Sequence, residues 1–347
     1  MKISVLYKFQ SGPWGGGNQF LKALRHQLTQ MGQYEENPRK ADVVLFNVYP
    51  FGAEYLFREA VKIKKEFPNK PIVYRLDGPL FLYRGRDKDI DLIIKKFGDA
   101  VIDGIVFQSK WSMEQNKTKL GISAPYETYI YNASNNQIFN DKNKSPYNLR
   151  QKIKIIATSW SANWNKGFKI YRYLDQNLDF LKYEMIFVGH SPIEFNNIKW
   201  IKPLPSKELA QILNQQDIYI TASQNDPCSN SLIEALTCGL PAVVLNDGGH
   251  SELLGKGGLT FINESDIIEK IEAVANNYSS YRCSLPTFSI DKAASDYHQF
   301  CKKIVDAVNK KGYQPKEITA VSKLSFFSIR IRAWKWKFWT KFRSKFI

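Results

Sequence analysis

The chain has 347 residues, of which 44% are hydrophobic and 24% charged, with a formal net charge of +16. Such a composition excludes an intrinsically disordered polymer and a small disulfide scaffold, and the length exceeds what one compact core usually reaches, so two globular domains are expected. The four cysteines, Cys228, Cys238, Cys283 and Cys301, show no C-x-x-C or other metal-ligand spacing, which predicts free packing thiols in a reducing compartment and no metal site.

MKISVLYKF reads as a strand, with an apolar run too short and too weakly flanked for a signal peptide. GPWGGG reads as a turn and NQFLKALRHQLTQMG as a helix closed by Gly32. ADVVLFNVY follows as a strand and AEYLFREAVKIKKEF as a helix. PIVYRLDG, GIVFQSK and YETYIYN are short apolar runs ending in polar turns. The polar run NDKNKSPYNLRQ at 140–151 breaks the pattern, and KIKIIATSW restarts it. Thereafter come a helix around FKIYRYLDQNL, the strand YEMIFVG, the helix SKELAQILNQQ, the strand DIYITAS, the helix SNSLIEALTCG, the strand PAVVLND, and helices from about Glu264 and Asp291. Alternation of this kind predicts an α/β protein with parallel sheets flanked by helices. We divide it into an amino-terminal Rossmann-like domain at 1–148, a second at 149–290, and closing helices at 291–317. Two such units imply a cleft, with ligand bound beyond the carboxyl ends of the strands.

Residues 318–347 form a segment of their own, with eight basic residues, eight aromatics including Trp334, Trp336 and Trp339, and no acid. Phe327, Ile331, Trp334, Phe338, Phe342 and Phe346 recur at spacings of three and four, one apolar face if helical. The pattern suits a helix lying on an anionic membrane surface. A helix docked on its own protein, a strand through the alternating IRIRAWKWKF, and a nucleic-acid contact stay open as alternatives. No stretch approaches the roughly 18–20 apolar residues that span a bilayer. The expected location is therefore cytoplasmic, peripheral on the inner face of the membrane.

The stretch DPCSNSLIEALTCGLPAVVLNDGGHSEL, 226–253, follows the strand DIYITAS. Ser229 is a suitable N-cap for a short helix stopped by Gly239 and Pro241. The unpaired N–H groups and positive end of such a helix form an anion site suited to phosphate. Leu232, Ile233 and Leu236 share one helical face, leaving Glu234 on another, while Asp226 stands in the loop before it. Carboxylates so placed can accept hydrogen bonds from sugar hydroxyls.

The order strand, D-x7-E, G-x-P and GG-x-x-E resembles the donor-binding half of glycosyltransferase family 4, retaining sugar-nucleotide transferases of the GT-B fold. Lys166-Gly167 after IKIIATSW, Gly189 ending YEMIFVG, and the run IKPLPSKELAQILNQQDIYITAS extend the likeness over about 150–265. Gly15, Gly16 and Gly17 after the first strand, with YNASNNQIF, carry it more weakly into the amino-terminal half. The resemblance implies that Asp226 contacts the transferred sugar, Glu234 the ribose, and Lys166 the diphosphate, with the backbone near Asn230 and Ser231 cradling it. The donor-binding set then comprises Gly15, Gly16, Gly17, Ser159, Ser161, Lys166, Gly189, Cys228, Ser229, Asn230, Ser231 and Glu234. Asp77 in YRLDGP, at a strand end, is the acceptor-side candidate beside Asp226, Glu234 and Lys166 in the catalytic group.

Three departures stand out. Asp replaces the first Glu of the pair, SWSANWN occupies the place of the family's arginine ahead of Lys166, and the amino-terminal histidine has no counterpart. The expected partners are a nucleotide-sugar donor, a saccharide or lipid-linked acceptor and an anionic membrane, with no cofactor, no metal and no nucleic acid. Domain closure over the donor would exclude water. A catalytically silent sugar-nucleotide binder, an epimerase on the same fold and a nucleic-acid binder remain the alternatives.

Overall fold

The computed structural model describes residues 1–12, 15–49 and 52–318. Of the amphipathic tail expected at 318–347, all but Ile318 lies outside the described residues.

The amino-terminal lobe runs β1 (Ile3–Leu6), α1 (Gly16–Gln30), β2 (Val43–Phe46), α2 (Glu54–Glu66), β3 (Ile72–Leu76), α3 (Leu80–Arg84), α4 (Lys88–Val101), β4 (Gly104–Phe107), α5 (Lys110–Leu120) and β5 (Tyr126–Tyr129). Its strands form a parallel sheet in the order β1-β2-β3-β4-β5. Every residue of β1 to β4 is buried, as expected of parallel strands covered on both faces. Two expectations need correction here. Gly16 and Gly17 belong to the first turn of α1 rather than to a preceding turn. The segment between β3 and β4 is helical: Ile90, Ile93, Ile94, Phe97 and Val101 recur at spacings of three and four and bury one face of α4.

The carboxy-terminal lobe runs β6 (Ile153–Ser159), a one-turn 3-10 helix (Trp164–Lys166), α6 (Phe168–Asn177), β7 (Tyr183–Gly189), β8 (Lys199–Ile201), α7 (Ser206–Asn214), β9 (Ile218–Thr221), α8 (Asn230–Thr237), β10 (Ala242–Leu245), α9 (His250–Leu254), β11 (Gly258–Phe261), α10 (Ile267–Asn276), α11 (Tyr278–Cys283) and α12 (Ile290–Asn309). These strands too are parallel, in the order β11-β10-β9-β6-β7-β8.

The lobes share one apolar core. Phe20 and Leu24 of α1, Leu232 and Ile233 of α8, and Tyr297 and Cys301 of α12 belong to a single buried cluster. α12 thus leaves the carboxy-terminal lobe and packs on α1. The chain after it is fastened to the amino-terminal lobe, because Asp103 accepts hydrogen bonds from the Tyr313 hydroxyl (2.9 Å) and the Lys316 backbone N–H (2.8 Å). Asp103 also receives Lys64 Nζ at 2.7 Å in an ion pair with both side chains fully buried.

Candidate donor site between the lobes

A cavity of about 640 Å³ lies between the two sheets. Tyr7, Asp77 and Gln108, which follow β1, β3 and β4, line one side; Ser159, Gly189 and Thr221, at the ends of β6, β7 and β9, line the other. Parallel strands pointing their carboxyl ends at one crevice is the arrangement that places ligands in doubly wound folds.

α8 opens toward this cavity. Ser229 has extended backbone and its Oγ accepts the Leu232 N–H at 3.4 Å, while the Ser229 and Ser231 hydroxyls lie 3.1 Å apart. Leu232, Ile233, Ala235 and Leu236 are buried, which turns Glu234 to the cavity wall. α1 and α8 come close at their first residues: a Cβ on Gly16 would stand 2.5 Å from Asn230 Cβ, so only glycine permits the approach. Two helix amino termini, each with unpaired N–H groups, therefore converge on one space. Gly15 lies under the Trp160 ring and Gly17 has open space above it.

Lys166, at the end of the 3-10 turn, donates to Asp226 Oδ2 (2.9 Å) and Ser223 Oγ (3.1 Å). Burial pushes the Asp226 carboxyl up, yet Lys166, His250 and the Cys228 N–H (3.2 Å) together outweigh it and hold the group below its ordinary value. The glycine pair downstream supports that loop: Gly248 has φ of +64°, and a Cβ there would lie 2.4 Å from the Asp226 carbonyl oxygen. His250 is buried with Nδ1 3.1 Å from the Leu245 carbonyl oxygen, and burial lowers its pKa.

The Glu234 carboxyl has no hydrogen-bond partner among the described residues, and burial pushes it up to about 8. Asp77 is held by buried Arg75, whose Nη1 reaches it at 3.1 Å. Arg75 also donates to Asn47 Oδ1 (3.0 Å) and Asn132 Oδ1 (2.7 Å). Burial raises the Asp77 pKa against the pull of Arg75.

The remaining predicted residues serve the walls. Ser159 Oγ donates to the Ser161 carbonyl oxygen (2.8 Å), and Ser161 Oγ accepts the Asn163 N–H (3.2 Å), so both hydroxyls shape the turn that carries Lys166. Gly189, with φ of +137°, leaves room for the Ser159 carbonyl oxygen, which a Cβ would meet at 1.8 Å. The Cys228 thiol is buried and pushed up to about 12, which keeps it protonated. No group of three or more His, Cys, Asp or Glu side chains placed to hold a metal occurs among the described residues.

Sequence reasoning missed Tyr83 and Arg84, and it named Glu252 only as the acid of the GG-x-x-E run. Tyr83 and Arg84, at the end of α3, reach the cavity from the amino-terminal lobe. Glu252, in α9, accepts the Lys110 and Trp111 N–H groups at 3.0 and 2.9 Å and the Tyr131 hydroxyl at 2.9 Å. It therefore caps α5 of the opposite lobe. The β3–α3 turn and the S-x-x-x run at Ser109 carried signals of helix starts, but not of which lobe they would touch.

Residues 194–283 match the family described as Glycosyl transferases group 1. The chain is a glycosyltransferase. This transferase has no significant match among curated protein sequences. Its fold is similar to that of a sucrose-phosphate synthase from Thermosynechococcus elongatus, with a TM-score of 0.68 at 13% identity over 88% of this chain and 100% of the other. It is also similar to HepE of Anabaena in complex with UDP-glucose (TM-score 0.61, 13% identity, 90% of this chain and 99% of that one). The catalytic domain of starch synthase IV from Arabidopsis thaliana, bound to ADP and acarbose, gives 0.59 at 12% identity over 84% and 79% of the two chains. These likenesses place the transferase in the GT-B fold, two parallel α/β lobes about a crevice.

Proposed function

We propose that this glycosyltransferase moves a sugar, with retention of anomeric configuration, from a nucleotide-sugar to a saccharide or lipid-linked acceptor, in polysaccharide or lipopolysaccharide assembly. The observation that carries the reading is the convergence of the α8 amino terminus, the Lys166–Asp226 pair and Glu234 on one cavity of about 640 Å³. The leaving nucleoside diphosphate gains negative charge, and fixed donors at a helix end and a lysine stabilise that charge without reorganising. Asp226 sits where a carboxylate can accept from a sugar hydroxyl, and Glu234, with no protein partner, can accept from the ribose diol. Asp77 faces the acceptor side. UDP-sugars are the first donors to try, since the HepE structure holds UDP-glucose.

The test is release of nucleoside diphosphate from a panel of UDP-, GDP-, ADP- and dTDP-sugars, with product stereochemistry read by NMR. Turnover with one of them, lost at least a hundredfold in Glu234→Ala, is expected; binding without turnover for every donor and acceptor would leave only the silent-binder reading. For 318–347 we propose a peripheral hold on anionic membranes. Among the described residues no helix is long and apolar enough to cross one. Vesicles containing about a third phosphatidylserine should retain the full chain and release a chain ending at 317, and equal retention of both would refute the hold.

A further inference from the structure

We propose that a second, smaller cavity at the seam of the lobes, lined by Lys22, His26, Asn135, Ser206, Asn230 and Glu234, binds a small phosphate monoester. The site goes beyond the donor reading and does not depend on it. The cavity measures about 250 Å³ and adjoins the larger one, the two sharing Gly16, Asn230 and Glu234 as a common wall. Its volume lies just below the roughly 300–1,000 Å³ of pockets that hold drug-sized molecules, which suits a body of a few carbons. Three parts of the chain meet around it: α1 of the amino-terminal lobe, the segment 133–139 between β5 and β6, and α7 with α8 of the other lobe.

The charge on its walls is one-sided. Gln19, Lys22, Ala23 and His26 stand at i, i+3, i+4 and i+7 of α1 and so share the face that turns to the cavity. α1 contains no acid. Lys22 Nζ, the His26 ring, the Ser206 hydroxyl and the Asn230 amide make no hydrogen bond or ion pair with any described residue. Glu234 is the one acid among the described lining residues, and burial pushes it up to about 8, so near neutral pH its carboxyl presents a proton rather than a charge. Donors gathered on one space and left without protein acceptors call for an oxyanion. Lys22 supplies a point charge and His26 can carry a second, which answers the roughly two negative charges of a phosphate monoester better than the single charge of a carboxylate. Ala23, Ile138 and Phe139 supply an apolar floor for the ester's carbons. The Ser134 hydroxyl donates to Thr237 Oγ1 at 3.2 Å, which fastens the 133–139 segment to α8.

The experiment titrates glycerol 3-phosphate and inorganic phosphate into the full chain, reading heat by calorimetry and the His26 ring protons by NMR, with UDP titrated separately. Glycerol 3-phosphate should bind saturably, shift the His26 signals and bind more tightly than the free ion; equal affinity for the two would overturn the choice of an ester. Lys22→Gln and His26→Gln, which break no contact within the described protein, should each weaken glycerol 3-phosphate by about tenfold or more. Lys166→Gln, in the larger cavity, should leave it within about twofold. Binding that survives in both of the first two variants, or that Lys166→Gln removes, overturns the proposal, as does an unmoved His26 signal at saturation. A chain that binds glycerol 3-phosphate and no nucleotide would sink the donor reading and leave this site standing, and the reverse result would do the opposite.

Discussion

Glu234 combines a carboxyl at a cavity wall with surroundings that oppose its charge. Its pKa, ordinarily 4.5, is pushed up to about 8 by burial, so the folded protein keeps a proton that the unfolded chain releases. The sign follows: below about 4.5 both states are protonated and the group has no effect, and as pH rises toward 8 the unfolded state is favoured. Folding stability should therefore fall by about 3–4 kcal/mol between pH 5 and 8 through this residue alone. Urea denaturation of the wild type and Glu234→Gln across that range tests it, with the slope flattened in the variant. Asp226 works in the opposite direction, held ionised by Lys166. Two acids eight positions apart thus differ in protonation at neutral pH. Their spacing and the helix between them were legible in the sequence because cap, apolar face and stop all lie within a dozen residues. The contacts of Tyr83 and Glu252 were not, since each is made with the lobe opposite its own, and no local pattern encodes that.

At the level of elements, α8 and α5 depend on different kinds of cap. α8 uses its own Ser229. α5 has Ser109, whose Oγ accepts the Ser112 N–H at 3.0 Å, and in addition the Glu252 carboxylate on its first two N–H groups. Glu252→Ala leaves those groups and the Tyr131 hydroxyl without their partner and should destabilise the protein by about 2 kcal/mol. Glu252→Gln should recover part of that, since one amide oxygen still accepts; an unchanged stability in Glu252→Ala would mean that the cap contributes nothing. Elements that escaped sequence reading share a physical cause. β8 is three residues at a sheet edge with two of them exposed, so it carries no apolar run. α9 and β11 are short and follow the glycine pair, whose turn character masks them. α4 is the exception, for its spacing was plain, and the surrounding strand signals drew attention from it.

Across the whole molecule, strand–helix alternation was enough to expect two parallel sheets and a crevice. What it did not reveal is that the segment after α12 returns to the amino-terminal lobe. Asp103, at the foot of β4, binds buried Lys64 and the segment after α12 together. Burial lowers the Lys64 pKa, and Asp103 acts against that shift. Asp103→Asn would leave a buried ammonium without its counter-charge, and we expect a loss of about 3–5 kcal/mol together with faster proteolysis near 313–318. Denaturation midpoints and limited digestion followed by mass spectrometry read both, and an unchanged midpoint would show the pair to be dispensable.

The helix that returns across the lobes acts as a splint. Prising the halves apart would wet the seam made by Phe20, Leu232, Ile233 and Tyr297, at about 25 cal/mol for each square ångström exposed. A crevice braced in this way has its two helix ends close together, and any opening of the lobes has to work against the apolar seam.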